Sequence, residues 1–235
     1  MDYGYGPNPR ETNMGVGIAK PLLGEEEISA VSKVIRSGMI ASGPETKKFE
    51  EEFAEYVGAE FACAVSNGTT ALSVSLSACG IGPGDEVITS PFTFVATANS
   101  ILSCGATPVF ADIEDDSFNL SPDSVRNLIS DKTRAIIPVH LYGLPAKMPE
   151  FEEIAEEIGG YVVGDAAQAH GAKIFDRPVG SWGSMECFSF YPTKNMTTGE
   201  GGMITTNDSE ANQLVRSILN HGRTNSTLGT YEHER

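Results

Sequence analysis

Short apolar runs alternate with amphipathic segments along most of this chain. Ile28, Val31 and Ile35 repeat at helical spacing before Gly38, and a second apolar face with the same spacing ends before Gly58. A glycine directly after such a repeat is typical of a helix that ends in the left-handed conformation. These patterns predict two helices ahead of the first strand.

Strand-like and helix-like segments then alternate as far as residue 220. The runs rich in β-branched and aromatic residues, which we predict as strands, are 61–65, 86–89, 107–111, 134–140, 161–164, 185–191 and 202–206. The predicted helices are 69–79, 93–104, a segment opened by Ser121-Pro122, 148–158 and 209–220. This alternation predicts an α/β fold, a three-layer α/β/α sandwich with a mainly parallel sheet. Ligands of such sheets bind beyond the carboxyl ends of the strands.

The composition is that of a folded protein with an acidic surface. The 235 residues include 32 Asp and Glu against 16 Lys and Arg, a formal net charge of −16, and 40% are hydrophobic. The charge argues against a general nucleic-acid binder and gives no cationic face for an anionic membrane surface. No stretch reaches the ~18 apolar residues that a membrane helix needs.

The ends and the cysteines give the expected organisation and location. Residues 1–17 form a polar leader without the basic and apolar regions of a secretory signal, and residues 18–235 suffice for one large domain. The four cysteines show no CxxC spacing. No metal-ligand spacing relates the four histidines, which are His140, His170, His221 and His233. We therefore expect buried free thiols, neutral or solvated histidines, no metal site and a cytoplasmic location.

A small polar turn, Ser66-Asn67-Gly68-Thr69-Thr70, follows the first predicted strand. Gly68 allows the backbone to approach a ligand closely, and the first N–H groups of the next helix have no partners inside that helix. With the two threonine hydroxyls they suit a phosphate dianion. An ordinary Ser or Asn helix cap explains the same residues, so this turn alone does not decide between the two interpretations.

Two further strand ends carry groups that suggest chemistry. Asp165 leaves the apolar strand at 161–164, where a carboxylate is costly without a cationic partner such as a protonated pyridine nitrogen. A helix cap is the alternative role for this residue. Lys194 follows an aromatic strand and precedes a glycine-rich turn at 199–202. Most lysines are solvated surface charges, but apolar surroundings would suit this one to imine formation with a carbonyl cofactor.

A phosphate cradle, an acid for a ring nitrogen and an imine-forming lysine are three requirements of one cofactor, pyridoxal 5′-phosphate. At these residues the chain resembles the DegT/DnrJ family of sugar aminotransferases, which implies the aspartate aminotransferase-like fold (fold type I). The resemblance covers about residues 20–223. The matching motifs are 38–49, 68–72, 84–88, 105–110, 165–168, 189–194 and 221–222.

The resemblance implies which residues act on the cofactor ring. Lys194 would be the catalytic residue, which holds the cofactor as an internal aldimine and later moves protons. Asp165 would keep the pyridine nitrogen protonated. Phe94 would stack on the face of the ring, with a role as a core phenylalanine as the alternative. Gln168 would lie near the ring hydroxyl, unless it is a turn amide bonded to the backbone.

The resemblance also implies how the phosphate is held. Gly68, Thr69 and Thr70 would bind it at the start of their helix, and the Ser189 hydroxyl would reach it from the strand that precedes Lys194. Glu200, in the glycine-rich turn, is interpreted as structural. The predicted site of the cofactor-binding large domain therefore draws on three separate strand ends.

The implied function is transfer of an amino group from an amino acid, expected to be glutamate, to a keto group of a nucleotide-activated sugar, as in polysaccharide biosynthesis. A homodimer is implied as well. Family members continue past residue 235 into a small C-terminal domain, so a catalytically incomplete large-domain fragment is one alternative. A sugar dehydratase with the same cofactor is another, but the dehydratase branch carries His where this chain has Lys194. The sequence does not identify the sugar, the nucleotide or the carbon that is aminated.

Overall fold

Helices and strands alternate along residues 17–223, the part of the chain that this computed structural model describes. The helices are α1 (Glu25–Ser37), α2 (Pro44–Val57), α3 (Gly68–Ala78), α4 (Ala96–Ser103), α5 (Pro122–Leu128), α6 (Met148–Ile158) and α7 (Ser209–Leu219). The strands are β1 (Phe61–Val65), β2 (Glu86–Thr89), β3 (Thr107–Phe110), β4 (Thr133–Ile137), β5 (Tyr161–Asp165), β6 (Lys173–Ile174), β7 (Arg177–Pro178), β8 (Met185–Ser189) and β9 (Gly202–Thr206). Except for Gly17, the predicted leader lies outside the described residues, as does His233.

Seven strands form one sheet in the order β1-β9-β8-β5-β4-β2-β3. Strands β3, β2, β4, β5 and β8 are parallel to one another, whereas β9 is antiparallel to both of its neighbours, β1 and β8. The predicted α/β fold with a mainly parallel sheet is confirmed. Because β9 alone is reversed, the carboxyl ends of β1, β8, β5, β4 and β2 meet at the same edge of the sheet.

Successive side chains of each strand face opposite helical layers. Val87 and Ile204 belong to the core on one face of the sheet, where α3, α4 and α7 pack. The next residue of β2, Ile88, and the preceding residue of β9, Met203, belong to the core on the other face, with α2, α5 and α6. The three-layer prediction is therefore confirmed, and burial on both faces explains the unbroken apolar runs of the strands.

Most helix boundaries follow the predicted signals. Gly38 and Gly58 end α1 and α2 with φ of 74° and 65°, and the Ser121 side chain caps α5 by accepting the Ser124 N–H. No helix within residues 17–223 has the length and apolar character of a membrane-spanning segment.

Three local predictions were wrong. The helix predicted at 93–104 begins only at Ala96, because the preceding residues form a turn in which the Phe92 N–H donates to Ser90 Oγ. The strand predicted at 134–140 ends at Ile137, because Pro138 has no N–H for the ladder. The predicted strand 185–191 ends at Ser189. The short β6–β7 hairpin was not predicted, since two-residue strands carry no periodic signal.

Candidate active site

A cavity of about 760 Å³ opens at the carboxyl edge of the sheet. Its walls come from the turns that follow β1, β2, β4, β5 and β8. Seven of the eight predicted cofactor residues line it: Gly68, Thr69, Phe94, Asp165, Gln168, Ser189 and Lys194. Thr70 does not line it. The predicted groups therefore come together because parallel strands bring their carboxyl ends to one place.

The start of α3 serves both as a helix cap and as a wall of the cavity. Asn67 Oδ1 accepts the Thr70 N–H at 2.8 Å, and the Thr70 hydroxyl hydrogen-bonds to Ser66 Oγ at 3.0 Å. The N–H groups of Gly68 and Thr69 have no hydrogen-bond partner among the described residues. The cap therefore leaves two backbone donors at the cavity wall, where an anion would be stabilised by the helix N-terminus.

Gly68 brings this helix against the end of β8. A Cβ on Gly68 would lie 2.9 Å from Ser189 Cβ, closer than two such atoms approach, so only glycine fits without a shift. Ser189 Oγ accepts the Tyr191 N–H at 3.4 Å, which leaves its hydroxyl proton available for donation. The donors predicted to bind phosphate therefore include neighbours from two different strand ends.

Asp165 is a buried carboxylate at the end of β5, with 7% of its surface exposed. Its Oδ2 accepts the Thr97 hydroxyl at 2.8 Å, and its Oδ1 accepts the Ala167 N–H at 3.2 Å. Burial raises the pKa of Asp165, although these two hydrogen bonds and the charge of Lys194 act in the opposite direction. No cation is hydrogen-bonded to it within residues 17–223. A protonated ring nitrogen in the cavity would supply the missing countercharge, so the residues present fit the predicted cofactor.

The orientation of Gln168 is fixed by the turn after β4. Gln168 Oε1 accepts the Tyr142 N–H at 2.7 Å, and the side-chain NH₂ makes no hydrogen bond with another described residue. Gln168 can therefore donate to a ligand oxygen. Tyr142 has φ of 50°, in the left-handed region that a tyrosine rarely adopts, and strain of this kind concentrates at functional sites.

Lys194 brings an amine to the cavity, and it is half-buried. Its backbone N–H donates to the Tyr191 carbonyl at 2.9 Å, which anchors the turn after β8. Its ammonium makes no salt bridge or hydrogen bond with any described residue. Phe94, by contrast, is 75% exposed at the cavity, so its alternative role as a core residue is wrong. Glu200, predicted as structural, also lines the cavity.

Sequence reasoning missed the partners that hold these groups. Thr97, which bonds to Asp165, gave no separate signal in the predicted helix. His140 lines the cavity, although its sequence spacing pointed to no function. The position of His140 directly after β4 was an available signal, because the rule on strand ends applies to every parallel strand.

His170 is buried among aromatic rings and does not line the cavity. Its ring centroid is 6.5 Å from that of Phe53 and 5.4 Å from those of Phe188 and Phe190. Neither ring nitrogen has a hydrogen-bond partner within the described part of the chain. Burial lowers the pKa of His170 from 6.5 to about 4, as expected for a histidine that is kept neutral.

Comparison with known proteins adds sequence relatives to this geometry. Residues 21–235 match the DegT/DnrJ/EryC1/StrS aminotransferase family. Spore coat polysaccharide biosynthesis protein SpsC of Bacillus subtilis is 45% identical over 211 residues, which are 90% of this chain and 54% of SpsC. UDP-N-acetyl-3-dehydro-alpha-D-glucosamine 3-aminotransferase of Acidithiobacillus ferrooxidans is 41% identical over 213 residues, 90% of this chain and 57% of that protein. The chain thus spans about half the length of these curated relatives.

A solved structure is similar as well. The structure of ntda from Bacillus subtilis, with bound cofactor PMP, superposes with a TM-score of 0.82 at 30% identity. The match covers 89% of this chain and 48% of ntda. The expected aspartate aminotransferase-like fold (fold type I) is confirmed.

The burial of His170 among aromatic rings predicts a specific loss of stability in acid. With a pKa of about 4 in the folded state against 6.5 for an ordinary histidine, the unfolded chain binds the proton more readily. The contribution of neutral His170 to the free energy of unfolding is therefore fully present above about pH 6.5. It is lost as the pH falls to about 4, and the loss amounts to roughly 3 kcal/mol. His170→Phe should remove this share of the pH dependence of the free energy of unfolding. The free energy of unfolding is measured for both proteins by urea titration at several pH values from 7 to 4. If it falls equally in both, the lowered pKa of His170 is contradicted.

Proposed function

The chain belongs to the DegT/DnrJ/EryC1/StrS aminotransferase family, and on that premise we propose that its cavity binds pyridoxal 5′-phosphate. The proposed reaction transfers an amino group from an amino acid, with glutamate as the donor, to a keto group of a nucleotide-activated sugar. The observation that carries the proposal is one cavity lined by the unpaired amine of Lys194, the buried carboxylate of Asp165 and the N-terminus of α3. The PMP in ntda and the sugar substrate in the name of the Acidithiobacillus relative support it.

The chain's own residues divide the work at the cofactor ring. When bound, pyridoxal phosphate supplies a ring that accepts electrons from the reacting carbon of the substrate. Lys194 is the proposed point of covalent attachment and the group that carries a proton between substrate atoms. Asp165 would hold a proton on the ring nitrogen, since its own buried charge favours a cationic partner. Gln168 would donate its NH₂ to the ring oxygen, and Phe94 would cover one face of the ring.

The phosphate is proposed to lie against the start of α3. The N–H groups of Gly68 and Thr69 and the hydroxyl of Ser189 would donate to its oxygens. The Thr70 N–H is already bonded to Asn67, so Thr70 stays a predicted phosphate ligand through its hydroxyl alone. These donors would hold one end of the cofactor, and its ring would then face Asp165 and Lys194.

The wider setting is part of the same proposal. Residues 18–235 would be the cofactor-binding large domain, and the active protein would be a homodimer in the cytoplasm. All four cysteines are free, two of them buried and two half-buried, as is typical of proteins in a reducing compartment.

Incubation with pyridoxal phosphate, glutamate and a UDP-linked 3-keto sugar tests the reaction. We expect the sugar to gain an amine in place of its ketone, measured by mass spectrometry, while glutamate becomes the 2-oxo acid. Loss of oxygen without gain of nitrogen would favour the dehydratase. Cofactor binding without any product would favour a large domain that lacks a complete site.

Lys194→Ala should abolish covalent trapping of the cofactor. Borohydride reduction of the protein with pyridoxal phosphate should label one peptide, the one that contains Lys194, because only an amine at the cavity combines affinity with reactivity. Lys173→Ala removes an exposed lysine and should leave labelling unchanged. Undiminished labelling of the Lys194→Ala protein, measured by peptide mapping, would show that another lysine is used.

Asp165→Asn should stabilise the protein without cofactor and weaken its affinity for pyridoxal phosphate. Asparagine keeps an oxygen for the Ala167 N–H but removes a desolvated charge, so the free energy of unfolding should rise by about 1 kcal/mol. Loss of the charged partner for the ring nitrogen should weaken binding by about tenfold. The exposed Asp131→Asn is the control. A variant less stable than wild type, or one that binds equally well, would contradict the role of Asp165.

A further inference from the structure

Two titratable side chains without a part in the proposed reaction are completely buried beside the cavity. His140 follows β4, Glu186 lies on β8, and neither exposes any surface. The His140 Nε2 atom lies 3.1 Å from Glu186 Oε2 and 3.3 Å from Oε1. His140 also lines the cavity, so the pair connects the cavity wall to the centre of the sheet.

The hydrogen bonds define the tautomer of the imidazole. His140 Nδ1 accepts the Ala146 N–H at 3.0 Å, so the ring proton is on Nε2 and is donated to Glu186. Both ring nitrogens are therefore occupied by the protein. His140 has no nitrogen left for a ligand, and its effect on the cavity must pass through the groups that it holds in place.

The Glu186 side chain crosses a strand to reach His140. In the sheet β5 lies between β8 and β4, and Gly164 of β5 is paired with Glu186. A Cβ on Gly164 would overlap the Glu186 carboxylate. Glycine at this position thus opens the path between the two side chains, and the pair links β8, across β5, to the segment that follows β4.

The ends of β5 and β8 carry proposed cofactor groups. The backbone N–H of His140 donates to the backbone carbonyl of Asp165 at 3.0 Å, and the backbone N–H of Asp165 donates to the Pro138 carbonyl at 2.9 Å. The backbone of Asp165 is thus held by the segment whose imidazole Glu186 fixes. Three residues after Glu186 comes Ser189, and Lys194 follows. The pair therefore lies between the segment that is hydrogen-bonded to Asp165 and the strand that leads to Ser189 and Lys194.

A buried carboxylate with one imidazole donor is a poor way to stabilise a fold, because well-packed apolar residues generally do as well or better. From this and the geometry we infer that His140 and Glu186 are positioning residues of the cofactor site, which hold Asp165 in place against the end of β8. The inference rests on the proposed function. It predicts that loss of the hydrogen bond changes cofactor binding by the folded protein.

Glu186→Leu and Glu186→Gln separate this role from a purely structural one. Glutamine keeps an oxygen that accepts the Nε2 proton, whereas leucine has similar size and no acceptor. Titration with pyridoxal phosphate, followed by absorbance, should show at least about tenfold weaker binding and an altered cofactor spectrum for the leucine protein. The glutamine protein should restore both. Glu156→Leu, the same change at an exposed position of α6, is the matched control.

Circular dichroism establishes which variants are folded before binding is compared. If the leucine protein does not fold, Glu186→Asp tests the same contact more mildly, because it keeps the charge and shortens the reach by one methylene. Wild-type affinity and spectrum in a folded Leu or Asp variant would overturn the inference, as would a glutamine variant as impaired as the leucine one. Wild-type protein that binds no pyridoxal phosphate would instead contradict the proposed function itself.

Discussion

A carboxylate buried at the end of β5, near the middle of the sheet, is the constraint on which the site depends. Asp165 cannot retreat to solvent, and its hydrogen bonds to Thr97 and Ala167 are neutral. No described cation is hydrogen-bonded to it, so a cationic group that enters the cavity would gain a direct partner in this carboxylate.

The other cavity groups are held by hydrogen bonds that leave some of their donors free for a ligand. Asn67 occupies the Thr70 amide and leaves the two preceding donors of α3 open. The Tyr142 N–H engages the side-chain oxygen of Gln168 and leaves the side-chain NH₂ free to donate. Each support restricts what its residue can offer, and the cavity is pre-organised as a result.

The alternation of apolar runs was enough to predict the layers, most of the strands and the edge at which ligands bind. It also predicted the cavity residues Lys194 and Asp165, because the carboxyl ends of parallel strands meet at one edge of the sheet independently of the conformation of the loops. It could not show the contacts that depend on register between strands. Glu186 and Gly164 are distant in sequence, and only their pairing across β5 and β8 reveals why one is glycine and the other reaches His140. The left-handed Tyr142 likewise gave no local signal.

The free NH₂ of Gln168 would make the proposed site selective for the substituent at one position of the cofactor ring. An unmodified or ionised oxygen on the ring can accept the amide proton. An amino group at the same ring position would place donor against donor, and an alkylated oxygen would need space beside the clamped turn. Discrimination between vitamin B6 analogues would thus depend on the backbone of Tyr142, which holds the Gln168 amide in its orientation.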